Sequence, residues 1–599
     1  MDRTSQSLDW LTLQLAWRFM DTCDKEHDCG KLFRRAIDPS QSDQLEEFHQ
    51  VGLEAKMRLI MPPFLNDLPA RLINLNKFGN GCLDVCLVEV PTQFKQLGTQ
   101  IDYAALSYCW GPNPGTMYQT TKETLGSRMN RIVWSDLPKT VQDAISIARQ
   151  LSIPCLWIDA ICIIQNSKSD WEQESAKMGA IYASAIVTIA ADASDSVNGG
   201  ILDIADTETV TYNGHVQIPA TLEDGSTSKL MFYNHQSNIF GVESTLKAIS
   251  DSPLSNRAWC LQERMLSSRI LHFTKQGLVL ECRKEYKCVH MVWPMDRASQ
   301  LFTVPGMLHI FDQGLPQSLW GLKVGAVISS LPDAQLKIAD NMMKSDITVF
   351  VPYKGEIANP ELKIGDQEEL VRLWNKNIVT EYSRRRLTFE SDKVIAISSI
   401  AHIFGLHIDS QYVAGLWLLG IEEGLEWRRS GIPYGTKILL YPSFSWLSHP
   451  GPVSWPYTAH MRPHGPAFSV KEARTELAGP NAYGSLISAS LILHGRLRDV
   501  RLRSEAQDEH STTSYHIKRY IATDFGETVG EAELDFDETV NRLQCFHLYK
   551  NSNGLLRLIL LQKTESEDQN QYRRAGIGFV YPSHGSWLEQ AESQTIHLI

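Results

Sequence analysis

The segment Arg257-Ala-Trp-Cys-Leu-Gln-Glu263 sets a carboxylate four residues after a tryptophan. If Ser255 caps a short helix here, Trp259 and Glu263 lie one turn apart on one face. A carboxylate against an indole is partly desolvated, which raises its pKa and suits it to acid, base or cation-stabilising work. The structural alternative is an ion pair from Glu263 to Arg257 or Arg264. Asp159, inside Leu156-Trp-Ile-Asp-Ala-Ile161, is a second carboxylate at the end of an apolar run, with a turn cap as its plainer role. Ser107, Trp110 and Gly111 close a third run, Tyr103-Ala-Ala-Leu-Ser-Tyr-Cys-Trp-Gly111. There Trp110 offers a flat stacking surface, and Gly111 lets backbone N–H groups approach a ligand.

These residues need elements to position them. The runs 103–110, 155–161 and 186–190 read as buried strands, the first stopped by Gly111-Pro112. Between them, Val141, Ala144, Ile145, Ala148 and Leu151 form a helical stripe with Ser135 or Asp136 as cap. Asp170 and Gln173 suggest a capping box for a second helix, whose apolar face holds Met178, Ile181, Tyr182 and Ala185. Strand and helix alternating at this spacing predict an α/β fold, a three-layer parallel sheet with right-handed crossovers. Its ligand site lies beyond the carboxyl ends of the strands, where Ser107–Gly111, Asp159 and Asp192 fall. A strand pair, Leu72–Leu75 and Leu83–Val90, precedes it.

At 599 residues the chain exceeds one core. We expect a helical segment over 1–70, the α/β domain over 71–295, a mainly helical region over 296–434 and a β-rich region over 435–599, making the C-terminal part α+β. Residues 366–404 and Tyr412–Trp427 read as helices. Leu491–Leu497, Arg542–Tyr549, Leu555–Gln562 and Gly576–Tyr581 read as strands of an antiparallel sheet. Arg384-Arg385-Arg386 reads as a solvated face or an ion-pair partner, and Asp535-Phe536-Asp537-Glu538 as a turn.

A net charge of −12 argues against a nucleic-acid partner. An odd count of eleven cysteines, several in apolar runs, argues against a secreted disulfide framework. No apolar run reaches membrane-span length. A cytoplasmic protein is expected. Cys23, His27 and Cys29 place three zinc-type ligands within seven residues, without an evident fourth, and no metal is assigned. No dinucleotide fingerprint, P-loop, nucleophile elbow or HExxH motif occurs, and no cofactor is expected.

Three landmarks in order, Tyr103–Gly111, Leu156–Gln165 running on to Tyr182, and Arg257–Glu263, resemble the fungal heterokaryon-incompatibility (HET) family over about 71–295. That resemblance implies self/non-self recognition, programmed cell death of an innate-immunity-like kind, partners from the incompatibility system and self-association. Arg257–Glu263 and Tyr103–Gly111 are also remotely similar to Toll/interleukin-receptor domains, which implies a flavodoxin-like sheet. The second resemblance further implies that NAD is a substrate, cleaved at the nicotinamide–ribose bond, with Glu263 as the principal carboxylate and Asp159 and Ser107 positioning. On the enzyme reading Glu263 is exposed in a cleft beside Asp159; on a scaffold reading it is buried against an arginine.

Overall fold

The structure, a computed structural model, describes scattered positions within 16–24, residues 68–202 and 248–288 with short breaks, strands at 215–221 and 227–233, and 367–599 with short breaks. His27 and Cys29 lie outside the described residues, as do 25–67 and 289–366. The chain divides into two compact units, Met1–Leu362 and Lys363–Ile599.

The first unit is built on an eight-stranded sheet. Its strands are β1 (Arg71–Asn74), β2 (Cys86–Glu89), β3 (Tyr103–Ser107), β4 (Cys155–Trp157), β5 (Val187–Ala190), β8 (Arg269–Thr274), β9 (Gly277–Cys282) and β10 (Tyr286–Cys288), while β6 (His215–Thr221) and β7 (Thr227–Tyr233) form a separate hairpin. The spatial order is β10-β9-β8-β5-β3-β4-β1-β2. Only the central strands β4, β3, β5 and β8 run parallel; β1 and β2 on one side and β9 and β10 on the other are antiparallel. The wholly parallel sheet expected from the strand–helix alternation is therefore corrected to a mixed one. Strands adjacent in sequence pair directly at both edges, β1 with β2 and β8 with β9, and antiparallel neighbours need no helical crossover.

Every residue of β3, β5 and β8 is buried. Because successive side chains point to opposite faces, both faces of the central sheet are covered. Helices with described bounds in this unit are α1 (Leu125–Asn130), α2 (Lys139–Gln150), α3 (Asp159–Cys162), α4 (Lys168–Ser184) and α5 (Trp259–Leu266). On α2 the expected stripe of Val141, Ala144, Ile145 and Ala148 is buried. Its cap is Pro138 instead of Ser135 or Asp136, which sit in a 3-10 turn just before it. Asp170 also has another task than capping. It lies in the first turn of α4, accepts the Ile164 N–H at 2.7 Å and pairs with Arg71 of β1, clasping the edge of the sheet to the helix.

In the second unit α6 (Gln367–Leu373) runs through a π-helical turn, Trp374–Val379, into α7 (Thr380–Ser383), and α8 (Ile395–Gly405) follows. Of the arginine cluster, Arg385 is buried against Glu381. The helix expected over Tyr412–Trp427 is not formed. Instead β11 (Tyr412–Val413) and β12 (Leu416–Trp417) make a tight hairpin, and α9 (Ile421–Gly424) is a single turn. Backbone conformation explains this, since Ala414, Gly415 and Gly420 have φ of +48°, +91° and +66°. The space a Gly415 side chain would take is filled by the Trp446 indole.

Beyond the short pair β13 (Arg428–Arg429) and β14 (Val453–Ser454) lies the β-rich region. It consists of β15 (Phe468–Leu477), β16 (Leu486–Ser504), β17 (Arg519–Ala522), β18 (Thr528–Leu534), β19 (Arg542–Lys550), β20 (Leu556–Lys563), β21 (Gln571–Val580) and β22 (Ser593–Leu598). The antiparallel run β16-β17-β18-β21-β20-β19 returns to β16, closing six strands into a barrel. Leu502, Ile521, Val529, Cys545, Leu558 and Val580 share its apolar core. Closure removes the free edges an open sheet would expose. Among the described residues no helix is long and apolar enough to cross a membrane.

Candidate functional site

The sheet brings three distant segments together where β3 and β4 end. β3 is narrow at its centre, with Ala104 and Ala105 in register with Leu156 and Trp157 of β4 and with Val187 and Thr188 of β5. Two tyrosines tie it to its surroundings. The Tyr103 hydroxyl donates to the Ile181 carbonyl of α4 at 2.6 Å, and Tyr182 of α4 donates back to the Leu106 carbonyl at 3.1 Å. The strand end is thereby fixed, and Ser107 points at α5.

The Ser107 hydroxyl donates to Glu263 Oε2 at 2.5 Å, and Cys260 Sγ lies 3.8 Å from the same hydroxyl. Glu263 and Cys260 are one turn apart on α5, so a single helix face meets the end of β3. That helix is capped by Ala258; Ser255, expected as the cap, donates its hydroxyl to the Ile249 carbonyl. Glu263 is only 7 % exposed. Burial pushes its carboxyl above the usual range, opposed by the Ser107 hydrogen bond and the charge of Arg257. Arg264 is engaged elsewhere, with Glu281 at 2.9 Å, which removes it as the expected partner of Glu263. Arg257 itself donates to the Tyr108 carbonyl at 3.2 Å, holding the turn after β3.

Asp159 stands just past β4, at the start of α3. Its Oδ1 accepts the Ala160 N–H at 2.6 Å and its Oδ2 accepts the Trp110 indole N–H at 2.9 Å. The residue as a whole is half-buried. Its carboxyl is also raised, chiefly by burial, against the lowering effects of the Ala160 N–H, Arg257 and Trp110. Trp110 is partly exposed and presents its indole edge to Asp159. Gly111 has φ of +93°, and a side chain there would meet Ser196 Cβ at 3.1 Å. The glycine thus allows close packing against Ser196.

The five candidate site residues therefore sit at one end of the sheet, four of them in two pairs, Ser107 with Glu263 and Trp110 with Asp159. Sequence reasoning did not place Tyr182 or Cys260 with them. Tyr182 had been read only as part of an apolar helix face, and burial raises its hydroxyl pKa, with Glu263 and Asp159 adding to the rise. The three-residue spacing from Cys260 to Glu263 was the signal that could have found the cysteine. Among the described residues no group of three His, Cys, Asp or Glu side chains is placed to hold a metal ion.

The arrangement offers two carboxyls of unusually high proton affinity, a hydroxyl donor and an indole at the mouth of the sheet. No curated protein and no solved structure matches this chain. Residues 103–263, which contain the whole of this site, match the family model described as Heterokaryon incompatibility protein (HET), and the chain thus carries a HET domain.

Proposed function

We propose that the chain acts in heterokaryon incompatibility, recognising non-self and triggering fungal programmed cell death, and that it does so by hydrolysing NAD at the nicotinamide–ribose bond. The supporting observation is the convergence of Asp159 and Glu263 at the carboxyl end of the parallel strands, where open α/β sheets take ligands. The four central strands and helix α5 are also the parts on which a likeness to Toll/interleukin-receptor domains, and a flavodoxin-like core, would rest. In this reaction the bond from ribose C1′ to the nicotinamide nitrogen breaks, and its electron pair neutralises the departing pyridinium. Water then adds to C1′ and loses a proton, giving ADP-ribose and free nicotinamide. A carboxylate stabilises the oxocarbenium-like ribose, as in glycosidases. Asp159, the more accessible of the pair, faces the substrate, and Glu263 is reached through Ser107.

A second reading is a non-catalytic module acting through homotypic contacts with itself or with other incompatibility proteins. The burial of Glu263 favours it, because an enzyme was expected to expose that group in a cleft.

Nicotinamide release by the full-length protein, compared with Glu263→Gln and Asp159→Asn at equal folded protein, separates the two. Release by the parent and loss in the variants supports hydrolysis. Absence of release, with toxicity in cells kept by all three forms, supports the module.

A further inference from the structure

His272 lies in β8, in parallel register with Ala190 of β5, which is itself opposite Ser107 of β3. The ring is buried, at 2 % exposure, and a carboxylate meets each of its nitrogens. Nδ1 is 2.7 Å from Asp192 Oδ2, in the loop after β5, and Nε2 is 3.0 Å from Glu281 Oε2 on β9. The same Glu281 oxygen accepts the Arg264 Nε–H from α5 at 2.9 Å. Asp192 and Glu281 are themselves buried. The thiol of Cys109, in the turn after β3, is raised chiefly by burial, with Asp192 adding to the rise.

An ionised carboxylate only accepts hydrogen bonds, so a ring between two of them must donate from both nitrogens. Only the imidazolium does that. The imidazolium then has an opposite charge at each nitrogen, and Glu281 has Arg264 as a second one. A neutral ring would turn a lone pair toward one carboxylate.

We propose that His272 is a charged positioning residue that fixes the end of β5 and, through Glu281 and Arg264, the helix carrying Glu263, so that its deprotonation sets an alkaline limit on this corner of the HET domain. The inference holds whichever reading of the site's activity is correct. Burial by itself would discharge the ring, but Asp192 and then Glu281 outweigh it and hold its pKa above the ordinary value. For a histidine raised on folding, the stabilisation is complete below the unfolded value of about 6.5 and is lost as pH rises through the folded value.

Cys109 and Cys260 are buried free thiols in one apolar cluster at this corner, and Cys545 in the barrel provides an internal reference. The test is the alkylation rate of each by iodoacetamide, read by mass spectrometry on full-length parent and His272→Gln from about pH 6 to about pH 10. Glutamine has one donor group and cannot serve both carboxylates. Relative to Cys545, Cys109 and Cys260 should label about tenfold faster in the variant at low pH, the equivalent of one pKa unit of differential interaction. That ratio should shrink toward one as the parent loses its own charge. Equal labelling at low pH, or a ratio constant across the range, would overturn the proposal. If His272→Gln does not fold, Asp192→Asn serves instead, read on Cys260 because Asp192 acts directly on Cys109. It should move the alkaline onset of Cys260 labelling to lower pH, and an unmoved onset overturns the proposal as well.

Discussion

Ser107 and Glu263 are hydrogen-bonded at 2.5 Å although 156 positions separate them in the chain. One ends the central strand and the other sits midway along α5, so the contact depends on the chain that lies between them, β4 and β5 of the sheet included. Replacing Ser107 by alanine leaves a buried carboxyl without its donor. We expect Ser107→Ala to destabilise the domain by about 1–3 kcal/mol, the usual penalty for an orphaned buried polar group. Urea unfolding at neutral pH reads this directly, and a cost near zero would show that the carboxyl finds another donor.

The proton affinity of Glu263 gives a pH dependence with a definite sign. Its folded-state pKa is raised, so the unfolded chain releases this proton first as pH rises. The stabilisation is complete below the unfolded value of about 4.3 and is lost as pH rises from there through the raised folded value. Glu263→Gln copies the neutral form and still accepts from Ser107. At pH 7 this variant should equal or exceed the parent in stability, and the difference should vanish below about pH 4. Paired denaturation curves across that range would detect the reverse sign.

Gly111 is a backbone requirement at the mouth of the site. A left-handed φ of +93° combined with Ser196 at 3.1 Å leaves no room for a side chain. Gly111→Ala is expected to cost about 1–3 kcal/mol in stability through strain. It should also shift Trp110, whose contribution, read as the difference in fluorescence between forms with and without Trp110→Phe, reports the local change.

Much of this site was legible because its parts are local. The all-buried run Tyr103–Ser107, the stop at Gly111-Pro112 and the stripe on α2 follow from composition and period within short windows. Pairings between windows were not legible. Nothing near Glu263 names Ser107 as its donor, and Arg264, its neighbour in sequence, turns to Glu281 on β9. The strand pair Leu72–Leu75 and Leu83–Val90 was legible and forms β1 and β2, but the antiparallel edge of β9 and β10 escaped, since a strand's direction depends on the connection that brings it home. Tyr412–Trp427 failed differently. Its apolar spacing suits a helix, but three positive φ values at 414, 415 and 420 override it.

Asp535 shows what such long-range pairing does in the second unit. Read as part of an acidic turn without a partner, it is buried and takes two hydrogen bonds from Arg574 of β21, at 2.8 and 2.9 Å. Arg574 in turn donates to the carbonyls of Leu425 and Trp427, and its guanidinium lies 3.5 Å from the Trp427 ring centroid. One buried cation thus joins the barrel to the segment after α9, using both the planar fork and the flat face of arginine. Asp535→Asn keeps the shape but removes the countercharge, and removing one member of a buried pair typically costs about 3–5 kcal/mol. Arg574→Lys should fail for another reason, because an ammonium cannot hold the bidentate pair while stacking on the indole. Limited proteolysis of the full-length protein, followed by fragment mapping, should show cleavage beginning in 425–456 or 535–575 for both variants and not for the parent. Parent-like resistance in Arg574→Lys would mean that charge alone, without the planar geometry, holds these elements together.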